Sequence, residues 1–283
     1  MSNKNYLSKY AKSFSWAGFF LPKKIYFKCS NLYDFCRTVD NIADDEGEIE
    51  IKRNNFLDFK NRFNNQDFRD PIIKNMWSLI EEYGISKKIV NDLFDGVEGD
   101  LKNKVQINSK KELFIYSYRV AGTVGLMMAK ILNVKDKNSL KSAIDLGIAM
   151  QLTNISRDII EDSKNSRFYI SHNFESIKET LKTADLFYES CFSSIKNIPI
   201  GFRFSILVAR RVYRKIGQNI LNKKSIENYN SSGKIYVTNT GKIIQTLLSL
   251  VDLLRLTLIK KENHLRYKEH QLINEEIDLN ERL

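Results

Sequence analysis

The chain of 283 residues carries 45 Lys and Arg against 34 Asp and Glu, a net charge of +11, and is 42% hydrophobic. That length can bury a large core as one domain or two, and with only three Pro and 12 Gly it argues against an all-β fold dense in turns. Three Cys (Cys29, Cys36, Cys191) without metal spacing and three scattered His argue against a zinc site and for a reduced, cytosolic compartment.

The positive charge admits three partners: nucleic acid, an anionic membrane surface or a phosphorylated substrate. Lys and Arg are spread along the whole chain, with no basic arm and no nucleic-acid motif, so no nucleic-acid partner is expected. The start, MSNKNYLSKYAKS, lacks the apolar segment of a signal peptide. No run reaches the ~18 apolar residues of a membrane span. Ile243–Ile259 comes nearest but carries Gln245, Asp252 and Arg255, and reads as a buried or membrane-facing amphipathic helix.

In chain order, Tyr6–Phe14 reads as helical and Pro22 opens a new helix. Lys23–Ala43 has an apolar stripe of Leu32, Phe35, Cys36, Val39 and Ile42, with Asp40 and Asp44 at i and i+4 and Arg37 one turn before. Glu50–Asn64 is amphipathic, and Ile72–Tyr83 and Ser86–Asn103 are helices split by Gly84. Ser109 is an N-cap with Glu112 as its capping-box partner. The helix that follows runs to about Leu132, and Ala121, Gly122 and Gly125 leave room for another backbone. Ser139–Asp162 is a long central helix, and Lys164–Asn173 is a loop with Arg167 and Tyr169. Ser176–Ile195 and Ile200–Leu221 are helices, Tyr229–Gly241 is irregular, and Lys242–Lys260 is the last long helix. The prediction is a single all-α domain over residues 1–265, followed by a charged, frayed tail over 266–283.

The most informative stretch is QLTNISRDIIED, residues 151–162. Each step of four overshoots a full helical turn by only about 40°, so Asn154, Asp158 and Asp162 line one face, with Gln151 a turn earlier. Arg157 and Glu161 fall elsewhere on the circumference. Most charged faces of this kind are solvated surface. Here the apolar run Ala143–Leu152 before it implies a buried helix whose polar face looks inward. Together with Asp40 and Asp44 this gives two acidic helix faces. Facing one another across a cavity, they would hold Mg2+ against diphosphate, because Mg2+ usually binds through one or two carboxylates plus phosphate oxygens. An apolar cavity would then shelter the carbocation left when diphosphate departs.

Four blocks resemble the squalene/phytoene synthase family of head-to-head prenyl synthases. YDFCRTVDNIAD, residues 33–44, is similar to its first aspartate-rich motif, and residues 151–162 with Arg167 and Tyr169 resemble the second. Tyr116–Gly125 resembles its YCxxVAGxVG block, and Lys12–Ser15 with Leu21 and Pro22 its N-terminal diphosphate-contacting segment. The resemblance spans roughly residues 8 to 250 and is greatest to bacterial phytoene synthases. It departs at Ser117, where the family often has Cys, and near Lys234–Lys242, where the family often has more Arg.

The resemblance implies an isoprenoid-synthase helical bundle around a central cavity. Asp40, Asp44, Asp158 and Asp162, with Asn154, would hold Mg2+, or Mn2+ in its place, and the four aspartates would take part in catalysis. Ser13, Ser15, Arg37 and Lys242 would contact diphosphate, and Tyr33, Gln151, Asn154, Arg157, Tyr169 and Tyr229 would contact substrate. Tyr116 would stand near the reacting carbons. Three alternatives stay open on the residues alone: Tyr118 in place of Tyr116, helix capping for Ser13 and Ser15, and an Arg37 that only pairs with Asp40 or Asp44 on its own helix.

The implied reaction joins two geranylgeranyl diphosphates through a cyclopropyl diphosphate to phytoene, a carotenoid precursor, without NADPH. The alternatives are a C30 synthase using two farnesyl diphosphates, and a non-catalytic assembly factor at a membrane. The greasy substrate implies peripheral attachment to the inner face of the cytoplasmic membrane.

Overall fold

The computed structural model describes residues 12–45, 47–259 and 268–283, without the side chains of residues 12–14. The first described helix, α1, is Lys12–Gly18. The earlier part of the predicted Tyr6–Phe14 helix, and the side chain of Ser13, lie outside the described residues.

α2 (Lys23–Asp44) buries Cys29, Leu32, Phe35, Val39 and Ala43, which recur at three- and four-residue steps. α3 (Ile49–Asn64) packs Phe56, Phe59 and Phe63 inward. The Phe63 ring stacks on Trp77 at 5.4 Å and meets Phe35 at 5.3 Å, and the Trp77 indole N–H donates to the Phe63 carbonyl at 2.9 Å. This aromatic cluster backs α2 and leaves its acidic face turned away from the packing.

α4 (Pro71–Tyr83) starts on an Asp70 cap with Pro in the first turn, and ends on Gly84 in the left-handed conformation, φ 61°. α5 (Lys87–Glu98) stops five residues short of the predicted Asn103. The chain turns at Gly99, and Val105–Gln106 (β1) forms a parallel two-residue bridge with Arg167–Phe168 (β2). Two residues are too few for an alternating pattern to be seen in the sequence.

α6 (Lys110–Ser117) has the predicted cap: the Glu112 N–H donates to Ser109 Oγ at 3.1 Å. The Glu112 carboxylate accepts from the Asn108 N–H at 2.8 Å, one residue further upstream than in a standard capping box. A π-helical turn, Tyr118–Gly122, joins α6 to α7 (Thr123–Ile131).

α8 (Lys137–Lys164) is the central helix. It lies in backbone contact with the π turn and α7. A Cβ on Gly147 would stand 2.2 Å from the Ala121 carbonyl oxygen, and one on Gly125 would stand 2.3 Å from that of Ala143. α9 (Phe174–Ser190), a 3-10 turn at Ser193–Asn197 and α10 (Ile200–Leu221) complete the wall around α8. α11 (Ile226–Ser231) occupies part of the predicted irregular stretch, and α12 (Asn239–Leu258) follows.

Residues 268–283 are ordered against the body rather than frayed. α13 (Lys268–Asn274) buries His270 and Ile273, and Ile277 and Leu279 are buried after it. The Arg282 guanidinium donates to both oxygens of Asp92 at 3.0 and 3.2 Å. The tail's charge hid an apolar series, Ile273, Ile277 and Leu279, that docks it. Among the described residues no helix is long and apolar enough to cross a membrane.

Gly147→Ala is expected to destabilise the fold by about 1–3 kcal/mol through overpacking, read as a lower midpoint in chemical denaturation. Gly201→Ala, where an added Cβ meets nothing within 4 Å, serves as the control.

Candidate active site

One large cavity, about 1200 Å3, runs along α8. The lining residues on α8 pass from Ser142, Ala143, Leu146 and Gly147 to Gln151, Asn154, Asp158 and Asp162. At 1.5 Å per residue that is roughly 30 Å of helix. The far end is apolar, with Leu132, Val134, Ile195 and Ile198 in its walls. The near end holds both aspartate pairs: Asp40 and Asp44 from α2, Asp158 and Asp162 from α8. The two predicted acidic faces therefore open into a single space.

Cations meet these carboxylates. The Arg37 guanidinium pairs with Asp40 and lies 3.7 Å from Asp44. Arg167, delivered by β2, donates to Asp44 at 2.7 Å. Arg157 grips Asp158 with two bonds, at 2.9 and 2.5 Å, and Lys234 reaches Asp158 at 3.3 Å and also pairs with Glu161. Arg157, an expected substrate contact, lines the cavity, and so does Glu161, although both start off the acidic face. Cβ positions alone mislead here, because these long side chains swing round the helix toward opposite charges.

Burial, then the neighbouring Asp158, pushes the Asp162 carboxyl up to about 7. Burial and Asp44 likewise raise Asp40 to about 6. The Arg37 and Arg167 guanidinium groups partly offset the rise at Asp40, and its shift is the smaller of the two. Asn154 donates weakly to Gln151 at 3.5 Å, while its own buried Oδ1 has no hydrogen-bond partner.

A further acid, unmarked in the sequence, is Asp100 just beyond α5. It is buried and lines the cavity. The Tyr116 and Tyr169 hydroxyls each donate to one of its oxygens at 2.8 Å, and the two hydroxyls lie 2.9 Å apart. The rings stack at 4.6 Å. Burial raises both phenols well above their ordinary range, so they stay protonated at neutral pH. Tyr118 takes no part: it is buried, and its hydroxyl donates at 2.8 Å to Asp92. Of the two tyrosines, Tyr116 is the one that lines the cavity.

Tyr33 and Lys242 line the cavity as expected. Two predicted contacts do not. Ser15 is on α1 outside the lining, where Ala17 and Gly18 contribute instead. The Tyr229 hydroxyl rests on the carbonyls of Arg157 at 2.7 Å and Ser156 at 3.1 Å, so it anchors α11 to the back of α8. Tyr213 and Tyr236, unmarked in the sequence, line the cavity.

The squalene/phytoene synthase model matches residues 7–175, more than half of the chain. The chain belongs to the squalene/phytoene synthase family. It is 28% identical over 241 residues to a phytoene synthase of Cereibacter sphaeroides, covering 74% of this chain and 68% of the relative. It is also 28% identical over 245 residues to a 15-cis-phytoene synthase of Enterobacter agglomerans, covering 75% and 82%. Among solved structures it resembles a dehydrosqualene synthase (TM-score 0.71, 24% identity, 88% and 94% coverage). A squalene synthase from Alicyclobacillus acidocaldarius is similar at TM-score 0.66 and 17% identity, with 79% and 91% coverage. These likenesses to solved structures establish an isoprenoid-synthase-type helical fold.

Two outcomes test the site's electrostatics. Asp162 carries a raised pKa in the folded state, so its contribution to stability is complete below its unfolded value of 3.8 and is lost as pH rises through about 7. Between about pH 4 and about pH 7, Asp162→Asn should flatten the fall in melting temperature of the ion-free protein. Tyr229→Phe should cost about 1 kcal/mol of stability while KM for substrate stays unchanged.

Proposed function

We propose that the chain is a Mg2+-dependent prenyltransferase that joins two geranylgeranyl diphosphates head to head to make phytoene. The observation that carries this reading is one cavity with four aspartates and their cationic partners at one end and an apolar channel along α8 at the other. That is the shape of a molecule with a diphosphate head and a hydrocarbon tail. The choice of the C20 substrate draws on the relatives named phytoene synthases.

The residues present suit a hard divalent ion. Asp44 raises the cost of ionising Asp40, and Asp158 that of ionising Asp162, a cost that a bound cation would remove. Asn154 Oδ1 is a buried oxygen without a partner at the same end of the cavity. Among the described residues no three acidic, His or Cys side chains form a ready-made ion cage, and Mg2+ characteristically completes its shell with phosphate oxygens and water. Bound there, Mg2+ would neutralise the departing diphosphate.

The chain's own groups do the rest. Arg37, Arg167 and Lys234, now on carboxylates, are placed to share their N–H donors with diphosphate oxygens. In the first step the C–O bond of one allylic diphosphate breaks. The double bond of the second substrate attacks the cation, and loss of a proton closes a cyclopropyl diphosphate. A second ionisation, rearrangement and proton loss release the hydrocarbon. Leu146, Met150 and Ile155 keep water from the cationic carbons, and Tyr116 and Tyr169 present electron-rich rings to them.

Pure protein given geranylgeranyl diphosphate and Mg2+ should yield a C40 hydrocarbon by chromatography. Asp158→Asn should lower kcat/KM by about 10²–10³-fold, the scale of losing one preorganised charge-stabilising group. No C40 product across Mg2+ and detergent concentrations would overturn the reading. In competition with farnesyl diphosphate, a predominant C30 product would reassign the substrate.

A further inference from the structure

α12 is built inside out. Its inward face is mostly polar: Lys242, Ser249 and Asp252 are buried, with Gln245 and Thr246 half-buried, and Leu256 is the one apolar residue of the helix buried with them. Its outward face is apolar. Ile243, Ile244, Leu247, Leu248, Leu250, Val251, Leu254 and Leu258 are exposed, Leu247 at 59% and Leu254 at 67%. In an ordinary surface helix of a globular protein the two faces are the other way round.

The rotation is fixed by specific bonds. Asp252 accepts two bonds from the Arg211 guanidinium of α10, at 2.5 and 2.8 Å. The Trp16 indole of α1 donates to Thr246 Oγ1 at 2.9 Å. Turning the helix to hide its leucines would break both contacts and bury their polar groups unpaired. The apolar surface extends past α12. α1 lies alongside, and its Phe19 is 82% exposed while Ala17 and Gly18 next to it line the cavity. Ile200 at the start of α10 is 77% exposed. Eight exposed apolar side chains on one helix face mark an interaction site.

We infer that this face of α12, with Phe19, docks the protein on an anionic lipid bilayer. Charge decides between a bilayer and a second copy. The chain carries +11, so two copies repel, whereas an anionic leaflet attracts it. Arg255 is exposed on the helix itself, and Lys196 sits at its end with Nζ 2.7 Å from the Ile259 carbonyl. Lys260 and Lys261 follow in sequence. Cations beside an outward apolar stripe are the arrangement of an interfacial helix, whose apolar side chains enter the acyl boundary while Lys and Arg meet headgroups. The preference for lipid rests in part on the prenyl reading above, since a hydrocarbon product needs an apolar destination and α1 forms both the cavity wall and the docking face.

The test is sedimentation of the full chain with vesicles of phosphatidylglycerol and phosphatidylcholine, and with phosphatidylcholine alone. The parent should bind the anionic vesicles and release with salt. A variant with Leu247→Glu, Val251→Glu and Leu254→Glu, all at exposed positions, should partition about tenfold or more weakly, with its helical circular dichroism and its turnover of detergent-dispersed substrate unchanged. Equal vesicle binding by parent and variant overturns the inference, as does a parent that ignores anionic vesicles. A parent dimer that the substitutions dissociate without loss of vesicle binding also overturns it and assigns the face to a second copy. Vesicle binding is read without substrate, so a protein that makes no hydrocarbon can still pass or fail this test.

Discussion

The arrangement depends on how closely α8 approaches the π turn and α7. At Gly147 and Gly125 backbone meets backbone, with no space for even a methyl group. Such contact fixes both the depth of α8 and its rotation. Seven residues make almost two full helical turns, so the stripe that begins at Ala143 and Gly147 continues as Gln151, Asn154 and Asp158. The lower part of the stripe seats the helix and the upper part faces the cavity. A bulkier residue at the seat would displace or rotate the acidic face as well as strain the packing.

Gathering carboxylates in a cavity is costly unless opposite charge comes with them. Here the compensating cations arrive from separate parts of the chain. Arg37 comes from α2, Arg157 from α8 itself, Lys234 from the stretch before α12, and Arg167 from β2. The β1–β2 bridge does more than its length suggests. The Val105 N–H donates to the Ser166 carbonyl at 3.0 Å and the Ile107 N–H to that of Phe168 at 3.1 Å. These bonds tie the loop after α5 to the loop after α8, which places Asp100 within reach of Tyr169 while Arg167 reaches back to α2.

The all-α class and both acidic faces were legible because they rest on helical periodicity, which needs only the local sequence. Family resemblance supplied Tyr116 and Tyr169, but not the acid that joins them. Asp100 follows Gly99 at a helix end and has no acidic neighbour at helical spacing, so its partners exist only after folding. Tyr229 was misplaced for the opposite reason: its position resembled a substrate contact, yet its hydroxyl is occupied by α8 carbonyls. The tail read as frayed because charged residues, Glu above all, crowd it, although several of its charges pair with the body, as in Lys111–Glu275 and Arg119–Glu276. The inversion of α12 was invisible as well. A sequence shows that a helix has two faces, and contacts such as those of Arg211 and Trp16 determine which one looks out.

The Asp100 cluster has a consequence for whatever fills the cavity. With each phenolic hydrogen committed to the carboxylate, Tyr116 and Tyr169 have no proton to offer a guest. What remains toward the interior is oxygen lone pairs and two stacked π clouds, backed by an acidic side chain. A wall of that kind repels anions and is hospitable to positive charge on carbon, and it stands on the same cavity as the cation-lined end where a pyrophosphate would be held.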